Sequence, residues 1–198
     1  MRSALLWMIV SYLIGSIPTG YLVARFVKGV DIRTVGSGNI GATNVKRLMG
    51  KSWAVFVTVA DMLKGSLAVL LTATSASTEP WLLSLSALAA VMGHNFPVWL
   101  HFKGGKGVAT TYGAVFFLWP YESFAIALLS GALWYAVMRS TLYVSLASMA
   151  ALLALPLFFW MLDAPLSYIL LSLFLALFAL YRHSANIARL ARGKENRV

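Results

Sequence analysis

The chain has 198 residues, of which 60% are hydrophobic and 11% charged, a composition that excludes an ordinary soluble domain and indicates a membrane protein. Sixteen Lys and Arg stand against six Asp and Glu, net +10; in a membrane chain this reads first as cytoplasmic loops and second as attraction for anionic lipid or substrate, rather than nucleic-acid binding. No cysteine occurs, which removes disulfides, thiolate catalysis and Cys-based metal sites.

A spanning helix needs about 20 apolar residues. Residues 4–27, 53–73, 81–100, 143–162 and 166–181 meet or approach that length, 123–138 is somewhat short, and 108–119, bounded by glycines and Pro120, is shorter still, with a re-entrant turn as the alternative to a crossing. Residues 4–27 lack a small-x-small cleavage site before Gly29 and read as a retained span. The connections alternate in charge. Lys28, Arg33, Lys46, Arg47 and Lys51 follow the first span, only Glu79 lies before the third, and Lys103 and Lys106 follow it. Glu122 precedes the next long span, Arg139 follows it, Asp163 separates the last two, and Arg189, Arg192, Lys194 and Arg197 fill the tail. Crossing of 108–119 puts every basic connection on one side. The expectation is therefore an all-α integral membrane protein with seven transmembrane helices, N-terminus outside and C-terminus cytoplasmic, forming a single domain over residues 1–198. Arg2 weakly opposes that orientation and is outnumbered.

Three polar clusters interrupt the hydrocarbon. The first is Gly36-Ser37-Gly38-Asn39-Ile40-Gly41-Ala42-Thr43-Asn44 with Lys46 and Arg47. Its glycines let backbone N–H groups turn toward a common point, which suits a phosphate. The literal G-x-G-x-x-G within it is not a dinucleotide fingerprint, because no strand precedes it and Asp61 falls inside a span. The second is Phe102-Lys103-Gly104-Gly105-Lys106-Gly107-Val108-Ala109-Thr110, which is not a Walker A sequence but leads glycines and two ammonium groups into a helix N-terminus. The third follows Arg182. On a continuing helix His183 and Asn186 share a side and reach an anion together; a basic amphipathic tail lying on anionic lipid is the alternative.

Asp61 and Lys64, three positions apart within a span, read as a structural ion pair. His94 reads as satisfying the helix hydrogen bonds that Pro97 opens, and no convincing metal-ligand set surrounds it. No G-x-S-x-G elbow is present, and no histidine is followed five positions later by aspartate, so the common glycerolipid acyltransferase dyad is missing.

Taken together, the first cluster with Arg47, His94 with Pro97, the stretch 102–110, Tyr143-Val144-Ser145-Leu146-Ala147-Ser148, and His183 with Asn186, Ile187, Arg189 and Leu190 resemble the bacterial acyl-phosphate:glycerol-3-phosphate acyltransferase (PlsY) family over essentially the whole chain. The resemblance implies an enzyme of the bacterial inner membrane, active site toward the cytoplasm, that transfers a fatty acyl group from acyl phosphate to the 1-hydroxyl of sn-glycerol 3-phosphate. Lysophosphatidic acid and phosphate are its products, in the first step of phospholipid synthesis. It further implies substrate binding by Ser37, Gly38, Asn39, Thr43, Asn44, Arg47, Lys103, Gly104, Lys106, Ser145, His183 and Asn186, and matches Glu195 to the family's acidic tail residue. His101 stands where the family usually has glycine.

The implied mechanism is substrate-assisted, with the proton leaving through a substrate phosphate oxygen and His183 as the alternative base. No cofactor or metal is expected. The expected partners are the two substrates, membrane lipid and, through functional coupling, an acyl-phosphate-forming enzyme. The rival reading is a transporter of phosphate or a phosphorylated metabolite, favoured by broken helices and small residues such as Gly15, Ser16, Pro18 and Gly20. It requires charged groups along a full crossing path, and the outer connections are sparse.

Overall fold

The computed structural model describes residues 2–119 and 121–197. Among these the regular structure is helical, with ten α-helices and two short 3-10 turns. Five stretches are long and apolar enough to cross a membrane: Ala4–Lys28, Lys51–Ser75, Pro80–Leu100, Glu122–Thr141 and Val144–Met161. A sixth arises if Leu166–Arg182 and Ser184–Ala191, bent by 59° at their junction, count as one. The chain divides into two compact units, Met1–Phe117 and Leu118–Val198.

The first unit contains α1 (Arg2–Gly15), α2 (Thr19–Lys28), α3 (Ala42–Met49), α4 (Lys51–Ser75), α5 (Pro80–Asn95) and α6 (Val108–Phe116). The expected first span is broken into α1 and α2 at Ser16, Ile17 and Pro18, because proline has no N–H to continue the ladder and disfavours helix in the residue before it. Small residues then let helices touch backbone to backbone. A Cβ on Gly15 would overlap the Ala90 carbonyl, and one on Gly93 would overlap that of Tyr12, so α1 and α5 cannot be prised apart without loss of contact on both faces. Gly65 against Thr110 and Gly113 against Met62 make the same seam between α4 and α6. Hydroxyls tie the seams together: Ser86 lies 2.7 Å from Ser11 and 2.8 Å from Thr72, and donates to the Ala68 carbonyl at 3.1 Å.

The segment expected at 108–119 is helical only over Val108–Phe116, nine residues. At 1.5 Å per residue it extends roughly 13.5 Å, less than half of a hydrocarbon core of about 30 Å. Helix α5 stops at Asn95 instead of running to Leu100, since Pro97 cannot donate, and the chain turns through Val98–Leu100 into left-handed His101 and Phe102, with φ of 53° and 61°. That conformation is strained for a side-chain-bearing residue and natural for glycine, which explains physically why glycine suits position 101.

The second unit contains α7 (Glu122–Thr141), α8 (Val144–Met161), α9 (Leu166–Arg182) and α10 (Ser184–Ala191). α7 is longer than the sequence expectation and reaches spanning length. Ser130 donates to the Ala151 carbonyl at 2.9 Å, and Trp134 Nε1 donates to Ser148 at 3.2 Å, fixing α7 on α8. Phe159 and Tyr168 pack ring to ring between α8 and α9, 6.1 Å apart.

Candidate functional site

The first glycine-rich loop is built by its own side chains. Helix α2 ends on left-handed Gly29, and Asp31 caps the turn Ile32–Thr34 by accepting from the Arg33 N–H at 2.9 Å. The Arg33 guanidinium meets the same carboxylate at 2.7 Å and holds the Asp31 carboxyl below its ordinary value, chiefly through that hydrogen bond. Arg33 is thus committed within the loop, while Lys46 and Arg47 are exposed.

Asn44, 2% exposed, organises the rest. Its carbonyl oxygen accepts the Ser37 N–H at 3.0 Å, and its amide nitrogen donates to the carbonyls of Ile32 at 3.2 Å and Val35 at 2.9 Å. Both amide hydrogens are therefore spent on the loop backbone. Gly36, with φ of 60°, lies so close that a Cβ there would overlap the Asn44 oxygen. Asn39 closes a second, smaller turn by accepting from the Gly41 N–H at 2.9 Å. Asn39 and Asn44, expected among the substrate-binding residues, are seen here shaping the loop; Ser37 and Gly38 stand exposed at its crest, and Thr43 is half-buried.

The second loop folds back on the end of α5. The Gly104 N–H donates to the Asn95 carbonyl at 3.2 Å and the Gly105 N–H to that of His94 at 3.1 Å. Both glycines are required by this approach, since a Cβ would overlap the His94 carbonyl at one and the His94 ring at the other. Gly107, at φ of 80°, then admits α6. Lys103 is exposed and Lys106 half-buried.

The two loops share a foundation. Ile32, Ile40 and Val45, which bracket the first loop, form one buried apolar cluster with Ala24, Val57 and Leu100, three residues before Lys103. Burial of this cluster holds both polar loops over the same apolar floor.

In the second unit His183 does not lie within a continuing helix, as the sequence suggested, but at the 59° bend between α9 and α10. It is 2% exposed, and its Nδ1 lies 2.7 Å from the Ala179 carbonyl. A carbonyl only accepts, so Nδ1 carries the proton. Ser145 and Asn186 meet on Glu195, which neither helical periodicity nor spacing could place, because Glu195 is 50 residues from Ser145 in sequence. Glu195 Oε1 accepts from Ser145 Oγ at 2.9 Å and from Asn186 Nδ2 at 2.6 Å, while Oε2 accepts from Arg189 Nε at 2.6 Å. Burial works to raise the Glu195 carboxyl, but the bonds from Asn186, Arg189 and Ser145 outweigh it and leave it below its ordinary value.

The structure thus assembles the expected residues as two neighbouring loops in the first unit and a carboxylate-centred cluster in the second. The family model described as glycerol-3-phosphate acyltransferase matches residues 5–193. The chain belongs to the glycerol-3-phosphate acyltransferase family. Among curated members, the glycerol-3-phosphate acyltransferase of Desulforudis audaxviator is 50% identical over 188 residues, covering 94% of this chain and 91% of the relative. That of Aquifex aeolicus is 42% identical over 194 residues and covers 98% of each. Among solved structures, the crystal structure of PlsY (YgiH), an integral membrane glycerol 3-phosphate acyltransferase, in its glycerol 3-phosphate form superposes with a TM-score of 0.92 at 42% identity, covering 99% of this chain and 96% of that one. Its lysophosphatidic acid form gives 0.89, covering 98% and 95%. This acyltransferase family member is therefore an all-helical integral membrane protein.

Proposed function

We propose that the chain transfers a fatty acyl group from acyl phosphate to the 1-hydroxyl of sn-glycerol 3-phosphate, as one acyltransferase domain over residues 1–198. The observation that supports it most is the shared floor beneath two glycine-bearing cationic loops, which brings two anion-suited surfaces together. Acyl phosphate is a mixed anhydride with a good leaving group, so no protein nucleophile is needed. The glycerol oxygen attacks the acyl carbon and the new ester C–O bond forms. The bond from that carbon to the phosphate oxygen breaks, and phosphate departs with the hydroxyl proton on one of its oxygens.

The protein's tasks are to offset the repulsion of two phosphates, aim the hydroxyl and stabilise developing negative charge. Arg47, Lys103 and Lys106 supply the positive charge, while the N–H groups of Ser37, Gly38 and Gly104, bonded to Asn44, Val35 and Asn95, hold the two loops in shape. Asn39 and Asn44 act by holding the first loop in its binding shape, and Thr43 lines it. Ser145, His183 and Asn186 take part in substrate binding, with Ser145 and Asn186 oriented by Glu195. His183 is a phosphate ligand in this reading. The partner of its protonated Nδ1 is a main-chain carbonyl, not a carboxylate that would raise its basicity.

The proposed topology has seven crossings, with α6 as the short fourth, N-terminus outside and C-terminus in the cytoplasm. A short crossing is accommodated beside a water-filled cavity or a thinned bilayer. The active face is then cytoplasmic at the inner membrane, where a lipidic donor and a water-soluble acceptor meet, and where coupling to an acyl-phosphate-forming enzyme is natural.

The test is purified protein with palmitoyl phosphate and labelled glycerol 3-phosphate. Phosphate and labelled lysophosphatidic acid are the expected products; accumulation of unchanged label inside vesicles would instead identify a transporter. Reporter fusions at the C-terminus that are active only in the cytoplasm support the topology, and periplasmic activity refutes it.

A further inference from the structure

Behind the second glycine-rich loop lies a line of buried polar groups that the acyl-transfer chemistry does not use. Lys64, on α4, donates to the Ile17 carbonyl at 2.8 Å and forms an ion pair with Asp61 Oδ1, also at 2.8 Å. The same Asp61 oxygen lies 3.7 Å from His94 Nδ1 at the end of α5. The opposite nitrogen of that ring, Nε2, fills the space where a Cβ on Gly105 would sit. Asp61, Lys64 and His94 are 3%, 6% and 4% exposed. The line thus runs from the break between α1 and α2, through α4 and α5, to the backbone between Lys103 and Lys106.

We propose that His94, held from behind by the Asp61–Lys64 ion pair, is a positioning residue that sets where the loop 103–107 presents Lys103 and Lys106. This rests on the reading of that loop as a substrate-phosphate site. A buried ion pair within a span is costly, and an Asp–Lys pair suffices to compensate its own charges. A purely structural pair accounts for 61 and 64 but gives no reason for an imidazole between the carboxylate and a glycine. The geometry supplies one. Two main-chain bonds, Gly104 to Asn95 and Gly105 to His94, tie the loop to the end of α5. The ring beneath Gly105 supports the loop from below, and Asp61 and Lys64 stand behind the ring. Asn95, fully buried, stands likewise beneath Gly107.

The experiment compares wild type, Asp61→Asn, His94→Ala, Gly105→Ala, the His94→Ala/Gly105→Ala double variant and Lys106→Ala, measuring Tm and the KM of each substrate with kcat. Lys106→Ala identifies the substrate whose phosphate the loop holds, by the KM that rises. His94→Ala and Gly105→Ala are expected to raise that same KM by about tenfold with kcat within about threefold, and Asp61→Asn to raise it by about threefold. The double variant is expected to be no worse than the worse single, because both changes release or displace the same contact.

A lowered Tm in His94→Ala with both KM values at wild type, or a double variant whose KM is the product of the singles, overturns the positioning role. Unchanged KM values in Lys106→Ala overturn the phosphate-loop reading itself, and the proposal with it. Should His94→Ala fail to accumulate, His94→Gln and Gly105→Ala carry the comparison: a raised KM in both supports the role, and wild-type values in both refute it.

Discussion

Glu195 offers a direct test of how the second unit is held together. Its side chain is only 6% exposed, and its carboxylate takes three donors, from Ser145, Asn186 and Arg189. The Arg189 side chain is 37% exposed, so its share is that of a surface ion pair, about 0–1 kcal/mol. The other two are bonds from neutral donors to a shielded charge, each about 1.5–3 kcal/mol against about 1 for a neutral pair. Glu195→Gln keeps one acceptor and loses the charge, and is expected to cost about 2 kcal/mol; Glu195→Ala leaves the Ser145 and Asn186 donors without that acceptor and is expected to cost more, about 3–4 kcal/mol. Thermal unfolding in detergent from pH 7 downward measures both. The carboxyl sits below its ordinary value of 4.5 in the folded protein, so its contribution is fully present above about that pH and is lost as pH falls through the lower folded value. Wild type and Glu195→Gln should therefore converge in the acid range and separate near neutrality. Equal stability of the two at pH 7, or a gap that widens on acidification, would refute the assignment of Glu195 as the charged hub.

Arg47→Ala and Lys106→Ala are each expected to reduce kcat/KM at least tenfold, about 1.4 kcal/mol or more, while the protein stays folded; wild-type rates in both remove the site assignment. Asn44→Ala strands two loop carbonyls and the Ser37 N–H and is expected to cost roughly 2–4 kcal/mol, seen as faster proteolysis between residues 32 and 44 together with lost activity. Gly113→Ala forces a Cβ into the Met62 carbonyl and is expected to lower stability by about 1–3 kcal/mol. Gly131→Ala on α7, where a Cβ meets nothing within 4 Å, is expected to leave stability unchanged or raise it by up to ~1 kcal/mol. The two alanines together separate packing from helix propensity in one unfolding experiment.

Hydropathy and glycine placement made much of this visible in the sequence. The long apolar runs became helices, Asp61 and Lys64 paired at 2.8 Å as their spacing suggested, and the polar stretches at 36–47 and 102–107 became loops flanking short helices. What hydropathy reports is the surrounding solvent, and it says little about chain direction. The break at Ser16–Pro18 and the bend at His183 both fall inside or beside stretches that read as continuous, although Gly15 and Pro18 hinted at the first. Roles that depend on a distant partner were the least legible. Asn44 looked like a ligand because its residue type suits an anion, and its actual partners are carbonyls 9 and 12 positions earlier. In sequence the neighbour that gives His94 a role is Pro97, whereas the carboxylate facing it comes from another helix.

Leu100 and Val45 are more than fifty positions apart, yet they belong to one apolar cluster beneath both glycine-bearing loops. A methylene removed from either side is felt by the other, because packed interiors do not yield locally. On the proposed assignment of the two loops to the two reactants, their affinities are mechanically yoked: selection that retunes the grip on one drags the other with it unless a compensating change arises in the common footing.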